Sequence, residues 1–306
     1  MAQDATTADA HTAQARANRL GVLAMIGAMA CFVVNDALVK YASQSMPATQ
    51  LIFVRGVMAT LLVLAVVKAV GATGKIREIT RGWVAVRAGV DAIGTLLFLV
   101  SLFHLPLANA TAINMTSPLT ITLLAALFLG ERIGGARWLA VGAGFLGVLL
   151  VIQPTADGFN GYSLVCLLST VFLAVRDLVT RRVHVAIPSI LITLSNTVAV
   201  MLLAGVLSVF EGWRPLRPFE LAMLAVAAVF LATAYFLVVT GTRHGDLSLI
   251  APFRYTALLF ATVLGYAVWG DTPNALAWSG IALVIASGIY VLRASRRARA
   301  SPAAAG

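Results

Sequence analysis

The sequence predicts an all-α membrane protein of ten transmembrane helices, arranged as a 5+5 inverted structural repeat. Three observations carry this. First, of 306 residues 60% are hydrophobic and only 11% charged, with mean hydropathy +0.93, whereas soluble domains carry roughly a quarter charged residues. Too few charges remain to cover a water-facing surface. Second, apolar runs of about 20 residues recur along the chain, the length a helix needs to cross a hydrocarbon core of about 30 Å. Spanning strands would be near 10 residues and alternate in polarity; these runs do neither. Third, the stretch from His104 to Ile152 returns from His244 to Leu292. One offset (244 − 104 = 140) relates His104 to His244, Gly130-Glu131 to Gly270-Asp271, and Trp138 to Trp278.

Taken in order, residues 1–19 are polar and rich in Ala, Thr and Gln, which predicts a disordered tail and not a signal peptide. Spans are expected at about 20–42, 49–70, 83–103, 107–129, 135–152, 161–181, 187–210, 219–241, 246–268 and 274–293. A short turn at Gly130-Glu131-Arg132 separates the fourth span from the fifth. The eighth and ninth are joined only by Thr242-Arg243-His244-Gly245, a tight helical hairpin. Residues 294–306 form a basic tail. The repeats are 20–152 and 161–293.

Orientation follows the Lys and Arg at the span ends. One side collects Arg16, Arg19, Lys75, Arg77, Arg81, Arg132, Arg137, Arg181, Arg182, Arg243, Arg293, Arg296, Arg297 and Arg299. The other has Lys40, Arg214 and Arg217. Both termini are therefore expected in the cytoplasm of a bacterial inner (plasma) membrane, crossed many times. Five spans per half then make the copies inverted, a symmetry that lets two halves exchange roles in opening to either side.

Composition also excludes function classes. The net charge of +10 and pI near 10.4 sit at span ends, with no basic groove and interleaved aromatics, so no nucleic-acid partner is expected. Cys31 and Cys166 lie inside spans as packing residues. No His, Cys or acid cluster has metal-ligand or nucleophile–base spacing, so no metal, cofactor or enzymatic activity is expected. A receptor or scaffold would need an extramembrane domain, and every loop is short.

Pro118 followed by Leu-rich sequence into Gly130-Glu131, with the echo Gly270-Asp271, resembles the drug/metabolite transporter superfamily. The likeness runs over about residues 20–293. It is to the two-repeat EamA-type branch, which includes bacterial aromatic amino-acid exporters. The resemblance implies secondary transport of a small metabolite through a central cavity lined by the first four helices of each half, with the fifth and tenth peripheral. Asp271 stands where the first copy has Glu131, and Pro252 does not align with Pro118 under the 140-residue offset.

Charged groups inside spans are costly, about 2.5–3.5 kcal/mol each at the bilayer centre, so they should face a cavity or each other. Asp36 and Arg55 lie at similar depth, beside Asn35, with Lys40 a second possible partner for Asp36. Asp91 and Arg254 also match in depth and are expected to pair across the halves. Arg254 aligns with Asn114, and a guanidinium there could hold a carboxylate. Arg176-Asp177 mirrors Asn35-Asp36, and Asn196 mirrors Arg55, so Asp177 with Asn196 forms the expected inner counterpart. Arg176 alternatively reads as a side chain reaching the interface.

Pro118 and Pro252 are candidate hinges. Tyr235 and Tyr255 are candidate aromatic walls. Substrate-binding candidates are thus Asp91, Asn114, Arg254, Tyr255, Asn35, Asn196 and Tyr235. Ion-pair or gating candidates are Asp36, Arg55, Lys40, Arg176 and Asp177. His104 and His244 read as interfacial. Gly142, Gly144, Gly147, Gly280 and Gly288 permit close packing, within the bundle or across a dimer seam; a monomer or weak homodimer is expected. The expected activity is export of small organic metabolites, above all amino acids, by alternating access. The alternative is a carrier for nucleotide-like or sugar-like solutes, which would need several basic groups converging on one cavity.

Overall fold

The computed structural model describes residues 2–129, 134–153, 160–180, 182–184, 187–244 and 247–300. The Gly130-Glu131-Arg132 turn, Arg181, and the side chains of Arg243, His244 and Ser248 lie outside what is described. Helices α1 (Ala2–Ala42), α2 (Ala48–Ala69) and α3 (Gly82–His104) form the first three spans. The fourth is broken into α4 (Leu107–Asn114) and α5 (Ser117–Leu129), and α6 (Gly135–Ile152) completes the first half. The second half runs α7 (Tyr162–Thr180), α8 (Ser189–Glu211) and α9 (Pro218–His244). Its broken span comprises α10 (Leu247–Ile250), a 3-10 stretch (Ala251–Tyr255) and α11 (Thr256–Trp269). The tenth span is α12 (Ala275–Ala300). Ten stretches are long and apolar enough to cross a bilayer, and each lies within a few residues of its expected span. Helices are the natural outcome, because lipid offers no partner for an unpaired backbone group.

The expected disordered tail instead continues α1 back to Ala2, and α12 runs on to Ala300. Both extensions are rich in Ala, Gln and Arg, strong helix formers.

Alternate crossing gives the bundle two faces. The terminal face carries both chain ends and the connections α2–α3, α5–α6, α7–α8 and α9–α10. The opposite face carries the other five. On the terminal face, the 3-10 helix Ala72–Thr80 lays Ile76 and Ile79 onto Val63, Val67, Leu191 and Leu194, while Arg182 sits 4.9 Å over the Trp83 ring.

The repeat is visible in the packing. Helix α1 packs along α9, and its equivalent α7 packs along α3; α2 pairs with its own equivalent α8, and α6 with α12. The α6–α12 contact is close enough that a Cβ on Gly147 would meet the Gly280 carbonyl at 2.8 Å, and one on Gly280 would meet the Gly147 carbonyl at 2.5 Å. These glycines pack inside the bundle, and backbone on both sides leaves no room for a side chain.

Local structure repeats too. Thr116 Oγ1 donates to the Ile113 carbonyl at 2.6 Å, and Thr256 Oγ1 to the Phe253 carbonyl at 2.7 Å. Thr122 donates to Pro118, and Thr262 to Leu258. Each pair is related by the 140-residue offset. Pro47 precedes α2 as Pro188 precedes α8, both in extended conformation.

Candidate functional site

The two broken spans meet at the centre. Pro118 is the second residue of α5, and Pro252 lies in the first turn of the 3-10 stretch. At the start of a helix a missing N–H costs little, so each proline opens a new segment and does not bend an old one. Breaking the fourth span releases carbonyls at its midpoint. The Met115 carbonyl accepts from the Tyr255 hydroxyl at 3.4 Å across 140 residues of sequence. Met115 and Tyr255 are repeat equivalents, and equivalent residues touch only on the pseudo-twofold axis. Tyr255 is buried, and its hydroxyl stands where a Cβ on Gly288 would be. It is therefore a pin between the halves, not the aromatic wall expected from sequence.

Next to this pin stand Asn114 and Arg254. Arg254 precedes Leu258, Ala261 and Gly265 by four, seven and eleven residues, so it shares their helical face. Those three are buried, and Gly265 approaches Leu107 of α4. That face points into the bundle, yet Arg254 is exposed. It lies about 14 Å from the start of α10, counting 1.5 Å per α residue and 2 Å per 3-10 residue. A guanidinium at that depth would be costly to leave in lipid. The described residues give Arg254 no carboxylate partner.

Towards the opposite face, Asn35 stands between Asp36 and Arg55. Its Nδ2 donates to Asp36 Oδ1 at 2.9 Å, and its Oδ1 accepts from Arg55 Nη1 at 3.4 Å. Asp36 and Arg55 also attract directly. Arg55 is 6% exposed, and its Nε has no partner. Lys40 does not join Asp36. Its Nζ donates to the carbonyls of Leu102, at 3.0 Å, and Leu105. It also lies 5.4 Å from the Trp269 ring centroid and feels the charge of Asp271. The last carbonyls of α3 have no helical partners and carry the negative end of its dipole, which explains why they draw Lys40 one turn away from Asp36. Asn109, Gln153, Asp271 and Asn274 help line a cavity of about 280 Å³ on this face.

Towards the terminal face, the expected Asp91–Arg254 pair is replaced by another. Asp91 Oδ1 accepts from Arg176 Nη1 at 2.6 Å, and Asp177 Oδ1 accepts from Arg176 Nε and Nη2 at 2.9 and 2.8 Å. Arg176 is thus a bridge between α3 and α7, not a residue reaching for the interface. Nor does Asp177 pair with Asn196. Asn196 Oδ1 instead accepts from Arg87 Nη1 at 2.8 Å, and Thr180 Oγ1 accepts from Arg87 Nε at 2.7 Å.

Arg87 escaped the sequence reading because a charge five residues into a span passes for an interfacial one. The signal was its spacing from Asp91, one turn away on the same face. Tyr235, in α9, lies within electrostatic reach of Arg55 on one side and of Asp91, Arg176 and Arg87 on the other. It is hemmed in by protein yet 39% exposed, and its ring meets Phe32 edge-on at 5.3 Å. Tyr235 therefore lies between the two polar clusters in the field of both. His104 stacks on Tyr162 at 3.8 Å on the opposite face. Among the described residues no group of His, Cys, Asp and Glu could hold a metal ion.

Residues 19–153 and 160–293 each match the EamA-like transporter family. The chain belongs to that family. This EamA-like chain is a multi-pass membrane protein and a secondary transporter. It is 30% identical over 282 residues to the pseudopaline exporter CntI of Pseudomonas aeruginosa, covering 90% of this chain and 97% of the relative. It is 28% identical to a riboflavin transporter of Vibrio cholerae (91% and 96% covered). It is also 23% identical to an S-adenosylmethionine uptake transporter of Rickettsia bellii (86% and 90%). A solved crystal structure superimposes with TM-score 0.63 at 20% identity, covering 92% of this chain and 99% of the other, which shows a shared fold.

Proposed function

We propose that this EamA-like protein exports small organic metabolites bearing a carboxylate, above all amino acids, across a bacterial inner membrane by alternating access, with both termini cytoplasmic. The observation that carries the proposal is Arg254, an exposed guanidinium with no acidic partner among the described residues, on an inward face beside the repeat axis. A planar guanidinium binds a carboxylate through two parallel hydrogen bonds. Asn114, its repeat equivalent, offers both a donor and an acceptor to the same solute. Phe32 and Tyr235 supply an aromatic wall.

Charge balance favours a zwitterion over a phosphate-bearing solute. Arg176 is already shared by two carboxylates, and Arg55 is offset by Asp36, so few cations are left to converge on phosphate. Relatives are named for solutes as different as riboflavin, pseudopaline and S-adenosylmethionine, and for both export and uptake; family membership alone therefore selects neither substrate nor direction.

The test is uptake and efflux in proteoliposomes with labelled amino acids, sugars and nucleotides, with and without a pH gradient. An amino acid is expected to move. Movement of a phosphorylated solute alone would replace this reading with the nucleotide carrier. Arg254→Ala is expected to abolish transport with folding intact, and unchanged apparent affinity in that variant would remove Arg254 as the anchor.

A further inference from the structure

Arg87 and Arg176 are neighbours of like charge that are satisfied differently. Arg176 is held by two carboxylates, Asp91 and Asp177. Among the described residues Arg87 donates to two neutral acceptors, Thr180 Oγ1 and Asn196 Oδ1. Asp91 and Asp177 attract it at a distance and Arg176 repels it. A hydrogen bond from guanidinium to carboxylate is roughly twice as strong as one to a neutral oxygen. An incoming carboxylate therefore outcompetes Thr180 and Asn196 for Arg87, but gains nothing by displacing Asp91 from Arg176. Thr180 Oγ1 can give Arg87 up without becoming stranded, because it also donates to the Arg176 carbonyl at 2.8 Å. Arg87 is half-buried and lies about 8 Å along α3 from its terminal-face end, counting 1.5 Å per residue, shallower than Arg254. It lies within electrostatic reach of Tyr235.

We infer that Arg87 is a second carboxylate-binding residue, a specificity-determining station near the terminal face that receives the solute before Arg254. Thr180 and Asn196 hold its guanidinium in place until a carboxylate arrives. This inference rests on the transport reading above, and it adds that carboxylate recognition happens twice, at two depths. Discrimination between a carboxylate and its carboxamide is then set at entry and not only at the axis.

The experiment uses the full chain in proteoliposomes, with the amino acid that the parent moves fastest as tracer. Unlabelled amino acid and its carboxamide are the competitors, for the parent, Arg87→Gln and Arg87→Lys. The parent is expected to prefer the carboxylate. In Arg87→Gln that preference falls about tenfold, the scale of one lost charge-assisted bond, through a raised KM with kcat kept. Arg87→Lys recovers part of it. A merely structural Arg87 would give equal losses for both competitors, with kcat and thermal midpoint falling together and preference unchanged; that result overturns the inference alone. If the parent moves no carboxylated solute, the transport reading falls and takes this inference with it.

Discussion

The two polar clusters lie towards opposite faces of the bundle and are built from different interactions. The terminal-face cluster is ionic and joins the halves: Arg176 of α7 grips Asp91 of α3, and Arg87 of α3 reaches Asn196 of α8. The opposite-face cluster is largely dipolar and sits mostly within the first half: Lys40 of α1 caps the carbonyl end of α3, and Asn35 mediates between Asp36 and Arg55. An inverted repeat could have placed the same chemistry at both ends. It does not, because Arg176 stands where the first half has Asn35, and Asn196 where it has Arg55. The backbone kept its symmetry while the side chains diverged, so the two ends of the bundle differ in how tightly they hold and in what loosens them.

The largest effect that would expose this difference is at Asp91. Asp91→Asn leaves Arg176 with one carboxylate in a largely buried site and is expected to lower stability by about 3 kcal/mol, as for a broken buried pair, read by denaturant unfolding in detergent. Lys40→Met should cost less, about 2 kcal/mol, because the lost bonds end on backbone carbonyls that water can partly reach once the lysine is gone. Thr180→Val, which removes one neutral acceptor of Arg87, should cost about 1 kcal/mol. A loss from Lys40→Met as large as that from Asp91→Asn would erase the distinction between the ends.

Salt sharpens the same contrast. Raising ionic strength from 0.1 to 1 M shortens the screening length from about 10 to about 3 Å. The stability gap between the parent and Asp91→Asn should narrow only modestly, because a largely buried contact pair is screened less than an exposed one, while that for Lys40→Met stays nearly constant. Equal narrowing in both would mean that Lys40 acts through Asp271 and not through the α3 carbonyls.

Much of the architecture was legible before any coordinates. Span length, the 140-residue offset and the odd number of spans per half are properties of the chain read locally, and lipid enforces them by leaving helices no alternative. The polar positions were legible as well, because charge inside a span is conspicuous. Most of their partners were not. Depth along a helix can be counted from sequence, and depth suggested Asp91 with Arg254 and Asp36 with Arg55, with Lys40 a second possible partner one turn away; of these only Asp36 and Arg55 come together, through Asn35. Partnership also needs azimuth and the identity of the neighbouring helix, and these follow from packing. The contact of α3 with α7 delivered Arg176 to Asp91, and the unpaired carbonyls at the end of α3 drew Lys40 away from Asp36.

The sequence by itself thus determined a duplicated, upside-down bundle of ten helices with costly polar groups inside it, since each of those features depends on composition and spacing along one chain. Only the tertiary structure decided which charges cancel and which remain available. Among the described residues it left Arg254 without a carboxylate partner and gave Arg87 neutral hydrogen-bond acceptors. Electrostatic pairing acts over a few ångströms between helices distant in sequence, and no count along the chain measures that separation.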